Sequence, residues 1–385
     1  MKRRKMVSFG FAASAVVLIA SVNAQAETLS DALSVAYRTN PTIRAQRAQL
    51  RATEELKAQA WAGALPQVTA SASYEDNETT TTSLFGATDP NAPPEAQTFN
   101  FNPLTAGVSA EQAVFTGLRN LNSIKQARAR VRAGGAQLVG IEQDVLRQAA
   151  TAYFDVLRDT RVYEVNLTNV KVLVRQLDEA KLRFEVGEIT KTDVAQAEAR
   201  LAGARANLAT AQGGLSVSRA AYKRVVGEAP GTLDDNPTLP DVPETEEELQ
   251  QFAAVFSPTV IAASENEEAS RRQVKIARGA LAPTVSLTAR YQFADEPSFF
   301  VLENEEFAYG ARATIPIFQG GVNYSRIREA KAVNDADRQR IEEAKRQARA
   351  DVTTAWEQLV AARATIQSAG KQVEANTLAL EGVRR

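Results

Sequence analysis

Four segments of the chain alternate apolar and polar residues with a period of two, and long stretches beside them repeat apolar residues every three or four positions. Val68, Ala70, Ala72 and Tyr74 alternate with Thr69, Ser71 and Ser73, and Leu104, Ala106, Val108 and Ala110 with Thr105, Gly107, Ser109 and Glu111. Further on, Val285, Leu287, Ala289, Tyr291 and Phe293 alternate with Ser286, Thr288, Arg290 and Gln292. Phe307, Tyr309, Ala311, Ala313 and Ile315 do so with Ala308, Gly310, Arg312 and Thr314. This pattern predicts strands over 65–76, 104–116, 283–294 and 306–318, each with one apolar and one polar face. The stretch 77–103, rich in Thr, Asn and Pro, reads as a long exposed loop.

The remaining pattern is helical. Residues 28–62 carry apolar positions at Leu29, Leu33, Ala36, Ile43, Leu50 and Leu56, with Ser30 or Asp31 available as a cap and Pro41 expected to kink or divide the helix. From Gly117 to about Lys181 there is no proline, and a stripe runs through Leu138, Ile141, Val145, Ala149, Ala152, Val156, Thr160, Tyr163, Leu167, Val170, Val174 and Leu177. That spacing is a coiled-coil seam, and a helix of this span is roughly 100 Å long at 1.5 Å per residue. A second seam, Val194, Ala197, Leu201, Ala204, Leu208, Ala211, Leu215, Ser218, Tyr222 and Val225, follows a break at Phe184 to Lys191. The chain is therefore expected to fold back at the break as a helical hairpin over 117–226. A proline-rich connector, 227–243, precedes a further helix over 244–279, opened by Glu244, Glu246, Glu247 and Glu248. Residues 320–385 read as a last helix, exposing a stripe at Ile327, Val333, Ile341, Val352, Leu359 and Ile366.

These elements occur twice. Leu65, Pro66, Val68 and Tyr74 recur 217 positions later as Ala282, Pro283, Val285 and Tyr291, while Gly107, Phe115, Gly117, Ile124 and Ala152 recur 203 positions later as Gly310, Phe318, Gly320, Ile327 and Ala355. The difference of 14 residues falls in the loop between alternating segments, where extra length costs little. The predicted organisation is a first repeat over 27–243 and a second over 244–385, incomplete because the counterpart of Phe184-Glu185-Val186-Gly187 would lie past Arg385. The chain is thus expected to be a C-terminally truncated version of a longer protein.

Composition narrows the chemistry. Lys2-Arg3-Arg4-Lys5, the apolar Met6 to Ala20 and Ala24-Gln25-Ala26 form the three regions of a secretory signal peptide over 1–26. Without its four basic residues, 41 Lys and Arg face 46 Asp and Glu, a mature charge of −5 that offers no footprint for nucleic acid. The chain has no cysteine and no histidine, so the usual nucleophile, general base and thiolate or imidazole metal ligands are missing. No phosphate-binding glycine motif appears either, and neither an enzymatic role nor a cofactor or metal is expected.

No segment after Ala26 is a long uncharged apolar run, so contact with a membrane must be made by strands. A soluble sandwich would alternate in the same way. Nine of the fifteen Phe lie in windows 65–116 and 283–318, as interfacial girdles require, and this favours a membrane wall. Four strands alone leave two edges unpaired in hydrocarbon, at several kcal/mol per group, so other copies must close the barrel. Three copies would make twelve strands, although the pattern itself does not give the number.

The order of elements, F-E-V-G at 184–187, T-K-T-D-V at 190–194, and V-F-T-G at 114–117 echoed by I-F-Q-G at 317–320 resemble the TolC family of outer membrane channel proteins. The run 183–201 is most similar to members serving type I protein secretion. The resemblance implies a mainly α fold with a four-strand contribution to an oligomeric transmembrane β-barrel, below which coiled-coil hairpins build a long α-helical barrel. It implies a homotrimer in outer membrane lipid with a periplasmic extension, passively exporting protein or small toxic compounds. Its partners would be a periplasmic adaptor and an inner-membrane transporter of the ABC or RND type. By that resemblance Val186, Gly187 and Glu188 form the tip that meets the adaptor, and Thr192 and Asp193 lie at the periplasmic aperture, their partners in the second repeat falling beyond residue 385. A soluble periplasmic coiled-coil adaptor or structural protein is the alternative reading.

Overall fold

The computed structural model describes residues 26–83, 95–238, 245–298 and 301–384. The expected signal peptide lies outside the described residues except for Ala26, as do Asp89-Pro90, Pro93-Pro94 and Glu244. The elements are α1 (Leu29–Thr39), α2 (Pro41–Ala62), β1 (Gln67–Tyr74), β2 (Asn77–Ser83), β3 (Glu95–Phe101), β4 (Leu104–Phe115), α3 (Arg119–Glu185), α4 (Lys191–Val226), α5 (Glu246–Phe256), α6 (Pro258–Gly279), β5 (Thr284–Ser298), β6 (Val301–Thr314) and α7 (Val322–Arg384). Described residues 26–40 and 146–238 form one compact unit, and 41–83, 95–145, 245–298 and 301–384 form another.

In the first unit, Ala32 and Ala36 of α1 pack with Ala149, Ala152, Tyr153 and Val156 of α3 and with Leu215, Tyr222, Val225 and Val226 of α4. The alanines let the helices approach closely enough for two tyrosines to be enclosed completely. Both hydroxyls find partners. Tyr153 Oη donates to the carbonyls of Glu27 and Asp234 at 2.9 Å each, and Tyr222 Oη donates to the Glu27 carboxylate at 2.5 Å. The Gly231 N–H donates to the same carboxylate at 3.1 Å. Glu27 also joins Leu233 in a parallel bridge, so the start of α1 and the segment after α4 are stitched together. Burial and the neighbouring Glu27 push the Tyr222 phenol well above its ordinary range.

Every seam residue expected along α3 and α4 is buried or half-buried, from Leu138 to Leu177 and from Val194 to Val225. Asn40 ends α1, and its Nδ2 donates to the Val225 carbonyl at 2.9 Å. The cap of α1 differs from the expectation. Thr28 is the N-cap, and Asp31 completes a capping box from the third helical position, because a carboxylate there reaches back to the free N–H.

The second unit holds a four-stranded antiparallel sheet of order β1-β4-β5-β6 and, on its own, the hairpin β2-β3. The hairpin corrects the loop expected over 77–103. Thr79 to Thr82 are β-branched and pair in register with Gln97 to Phe99 and Ala96, so polar composition conceals strand propensity. β5 runs on to Ser298, past the expected end, while β6 begins at Val301 and stops at Thr314 rather than 318.

The helix expected over 244–279 is two helices. Ser257 is extended and Pro258 opens α6, since proline supplies no N–H to continue α5. α7 also departs from expectation. Of the stripe expected to be exposed, Val333 and Ile366 are exposed but Ile327, Ile341, Val352 and Leu359 are half-buried, and the buried face carries Asn323, Ala330, Asn334, Asp337 and Ala348. Asn334 Nδ2 reaches the Glu267 carbonyl at 3.3 Å, its Oε1 at 3.1 Å and Ser270 Oγ at 3.0 Å on α6, a polar fit that a hydrophobicity pattern does not detect.

Candidate functional site

The sheet is the first candidate. Pairing carries one apolar face across all four strands: Ala70 opposes Val108, Val108 opposes Tyr291, and Tyr291 opposes Phe307. One step along, Val68, Ala110, Ala289 and Tyr309 continue the same face. Side chains alternate, so Thr69, Ser109, Arg290 and Ala308 share the other side. There Arg290 pairs with Glu306 at 2.6 Å, and Arg312 stands opposite Ser286. Val68, Phe307 and Tyr309 are 68%, 69% and 83% exposed, so no core covers the apolar face. A patch this continuous marks a surface meant for something other than water.

Below the sheet, Gly117 follows β4 at φ 63°, and Gly279 closes α6. A Cβ on Gly117 would lie 2.4 Å from the Gly279 carbonyl oxygen, and one on Gly279 would lie 2.5 Å from that of Gly117. Two glycines thus allow backbone-to-backbone contact where strands become helices. The sequence signal was V-F-T-G; nothing in the pattern pointed to Gly279.

The second candidate is the turn between α3 and α4. Gly187 adopts φ 76°, the Gly187 N–H bonds the Phe184 carbonyl at 3.0 Å, and the Glu188 N–H bonds that of Arg183 at 2.9 Å. These two bonds make a Schellman end for α3, which requires the left-handed residue that glycine supplies. Val186 is 73% exposed, and Leu182 and Phe184 lie bare beside it. This apolar rim was missed in the sequence, although Leu182 and Val186 fall off the seam that ends at Leu177. Glu188 meets Arg183 at 3.0 Å, an exposed ion pair of small energetic weight.

Thr190 and Asp193 open α4. The Asp193 carboxylate accepts from both the N–H and the hydroxyl of Thr190 at 2.8 Å. Those bonds, the backbone one first, hold its pKa below the usual aspartate value, with Arg183 adding in the same sense. Thr192 is exposed in the first turn of α4. A depressed carboxylate stabilises the fold above its unfolded pKa and ceases to do so as pH falls through the folded value. The first turn of α4 is therefore expected to fray on acidification below about pH 4, and amide exchange at Thr192 to Val194 should accelerate there. Asp193→Asn should remove the pH dependence; its persistence in that variant would show that another group is responsible.

No helix among the described residues is long and apolar enough to cross a membrane, and no cluster of metal-ligating residues occurs among them. Comparison with known proteins gives a consistent result. The profile of the outer membrane efflux protein family matches residues 32–228 and 249–385. The chain is 30% identical over 324 residues to outer membrane efflux protein BepC of Brucella suis, covering 83% of this chain and 68% of that protein. It is 25% identical over 326 residues to outer membrane protein TolC of Escherichia coli, covering 80% of this chain and 62% of that protein. In fold it is similar to the crystal structure of CusC, with a TM-score of 0.69, 17% identity, and 91% and 78% of the two chains covered. It also resembles the Campylobacter jejuni CmeC outer membrane channel, with a TM-score of 0.64, 16% identity, and 86% and 68% covered.

Proposed function

The chain belongs to the outer membrane efflux protein family, and from that premise we propose that it forms the exit duct of a tripartite export system. The supporting observation is the sheet: one face apolar across four strands and exposed, the opposite face polar and charged. A wall of that kind meets lipid outside and water inside once its edges are closed by further copies. Three copies of four strands give twelve, a width compatible with a water-filled lumen. Conduction is passive in this reading, as the resemblance to the family implies, with the energy supplied by a transporter. Secreted protein or small toxic compounds would be handed over by an inner-membrane transporter through a periplasmic adaptor.

The test is depth. Fluorophores at Ala70, Leu287 and Ala311 should be quenched by brominated lipids, and fluorophores at Ser71 and Ser109 should not. Equal quenching on both faces, or none on the first, would remove the membrane wall and the duct with it.

Within this reading Val186, Gly187 and Glu188 are the adaptor contact. The bare rim of Leu182, Phe184 and Val186 supports this, since an apolar partner helix could cover it without a side chain at Gly187 in the way. A photo-crosslinker at Glu188 is expected to capture a periplasmic adaptor in cells, whereas one at Thr210, exposed farther along α4, is not. Thr192 and Asp193 are assigned to the aperture, where copies of the exposed carboxylate would ring the opening and favour cations. The resemblance of 183–201 to type I secretion members makes a protein cargo the first to test.

A further inference from the structure

The hairpin β2–β3 continues the hairpin β1–β4. Tyr74 opposes Leu104 at the end of the lower pair, and three residues farther along each strand Asn77 opposes Phe101, so no residue is gained or lost between them. The ladder is only interrupted, at Glu75-Asp76 and Asn102-Pro103, because proline has no N–H to give. The Glu75 N–H still reaches the Pro103 carbonyl at 3.1 Å, and the Asn102 amide donates to the Asp76 carboxylate at 2.9 Å. Beyond the joint β3 stays beside β5, as β4 does below it.

Side chains two positions apart share a face, so both faces of the sheet can be followed through the joint. Each changes character there. The face of Val108 and Tyr74 is apolar as far as Leu104, and its next rows are Asp76 with Asn102, Glu78 with Asn100 and Thr80 with Thr98. The face of Arg290 and Ser109 is polar as far as Thr105, and the next positions on that strand are Pro103, Phe101 and Phe99. Pro103 is buried and Phe101 and Phe99 are half-buried, whereas Asn102, Asn100 and Thr98 are exposed. Ala294, opposite Thr105 on the same face, is 3% exposed. The outer face of the second hairpin turns at the same level, where Asp295 stands opposite Leu104 and Glu303, and Phe293 opposite Glu305.

A face that meets lipid must stop being apolar where the lipid stops, which accounts for the outer rows. It does not account for two phenylalanines on the side that is polar below. We propose that Phe99 and Phe101 line the outer mouth of the duct as an apolar collar, a contact for the apolar parts of whatever leaves. It rests on the duct reading and adds a site to it. With a hairpin from each copy, the rings face one another across the opening, where an apolar narrowing holds water and ions poorly and accepts apolar solutes. The 14 extra residues of the first repeat lie in this stretch, so each copy brings one such hairpin. A two-stranded hairpin is marginal by itself, and an apolar face turned toward its neighbours gives it something to pack against.

The chain has no cysteine, so a single engineered thiol reports its own position. In the full chain in lipid nanodiscs, Thr98→Cys should react rapidly with a small maleimide and with one that carries a bulky polymer. Phe99→Cys should react with the small reagent but at least tenfold more slowly than Thr98→Cys with the bulky one. Tetraphenylphosphonium, a water-soluble aromatic cation, should bind above the level of empty nanodiscs. Phe99→Ser with Phe101→Ser should weaken that binding at least fivefold, and Thr80→Ser with Thr98→Ser, on the other face, should leave it unchanged. Equal bulky labelling at both thiols, or no binding that the paired Phe→Ser variant weakens, overturns the collar. The duct stands in that case if brominated lipids quench fluorophores at Ala70 and Leu287; without that quenching both readings fall.

Discussion

Tyr222→Ala is expected to destabilise the unit formed by α1, α3 and α4 by about 3–5 kcal/mol, the usual cost of emptying a fully enclosed aromatic site. The side chain is 0% exposed and belongs to a core whose α1 and α3 members include Ala32, Ala36, Ala149 and Ala152, which are too short to collapse into the space. Tyr222→Phe keeps the ring and loses only the bond to Glu27, so its cost should be about 1–2 kcal/mol. Urea denaturation followed by near-ultraviolet circular dichroism separates the two. If Phe proved as costly as Ala, the hydroxyl network around Glu27 rather than the packing would hold the unit together.

Gly117→Val should be nearly as severe, at about 3 kcal/mol or more, for two reasons that add. A β-branched residue at φ 63° is strained, and its Cβ would stand 2.4 Å from a backbone oxygen that has nowhere to move. Gly320→Val has the same strain without the clash within the chain, so the difference between the two variants isolates the contact with Gly279. Thermal unfolding of both, read at the β-sheet signal, checks this. Equal losses would mean that backbone conformation alone is responsible.

Much of this architecture was legible in the chain because period and repeat are properties of residue order. The strands were found by alternation and the α3–α4 hairpin by its seams, every residue of which is at least half-buried. What escaped was whatever depends on polar complementarity. The threonines of β2 looked like loop because their propensity for strand is carried by a branched Cβ and not by hydrophobicity. The split at Pro258 was overlooked even though it stands 217 positions after Pro41, the proline that was recognised. At the tip, Gly187 was legible as a turn glycine, and Asp193 as a first-turn carboxylate. The Schellman bonds and the bare rim beside it were not, since they depend on how α3 ends in space. The Gly117–Gly279 contact joins residues 162 positions apart and leaves no periodic trace.

The amide and carboxyl groups buried between α6 and α7 have a mechanical consequence. An oily seam can shift by a turn and find an equivalent fit, but Asn334 is held by Glu267 and Ser270 in directions that only one axial position satisfies. Sliding these rods lengthwise would strand several polar groups without partners, at about 1–3 kcal/mol each. Beneath the sheet α6 and α7 are thus keyed like a bolt in its slot.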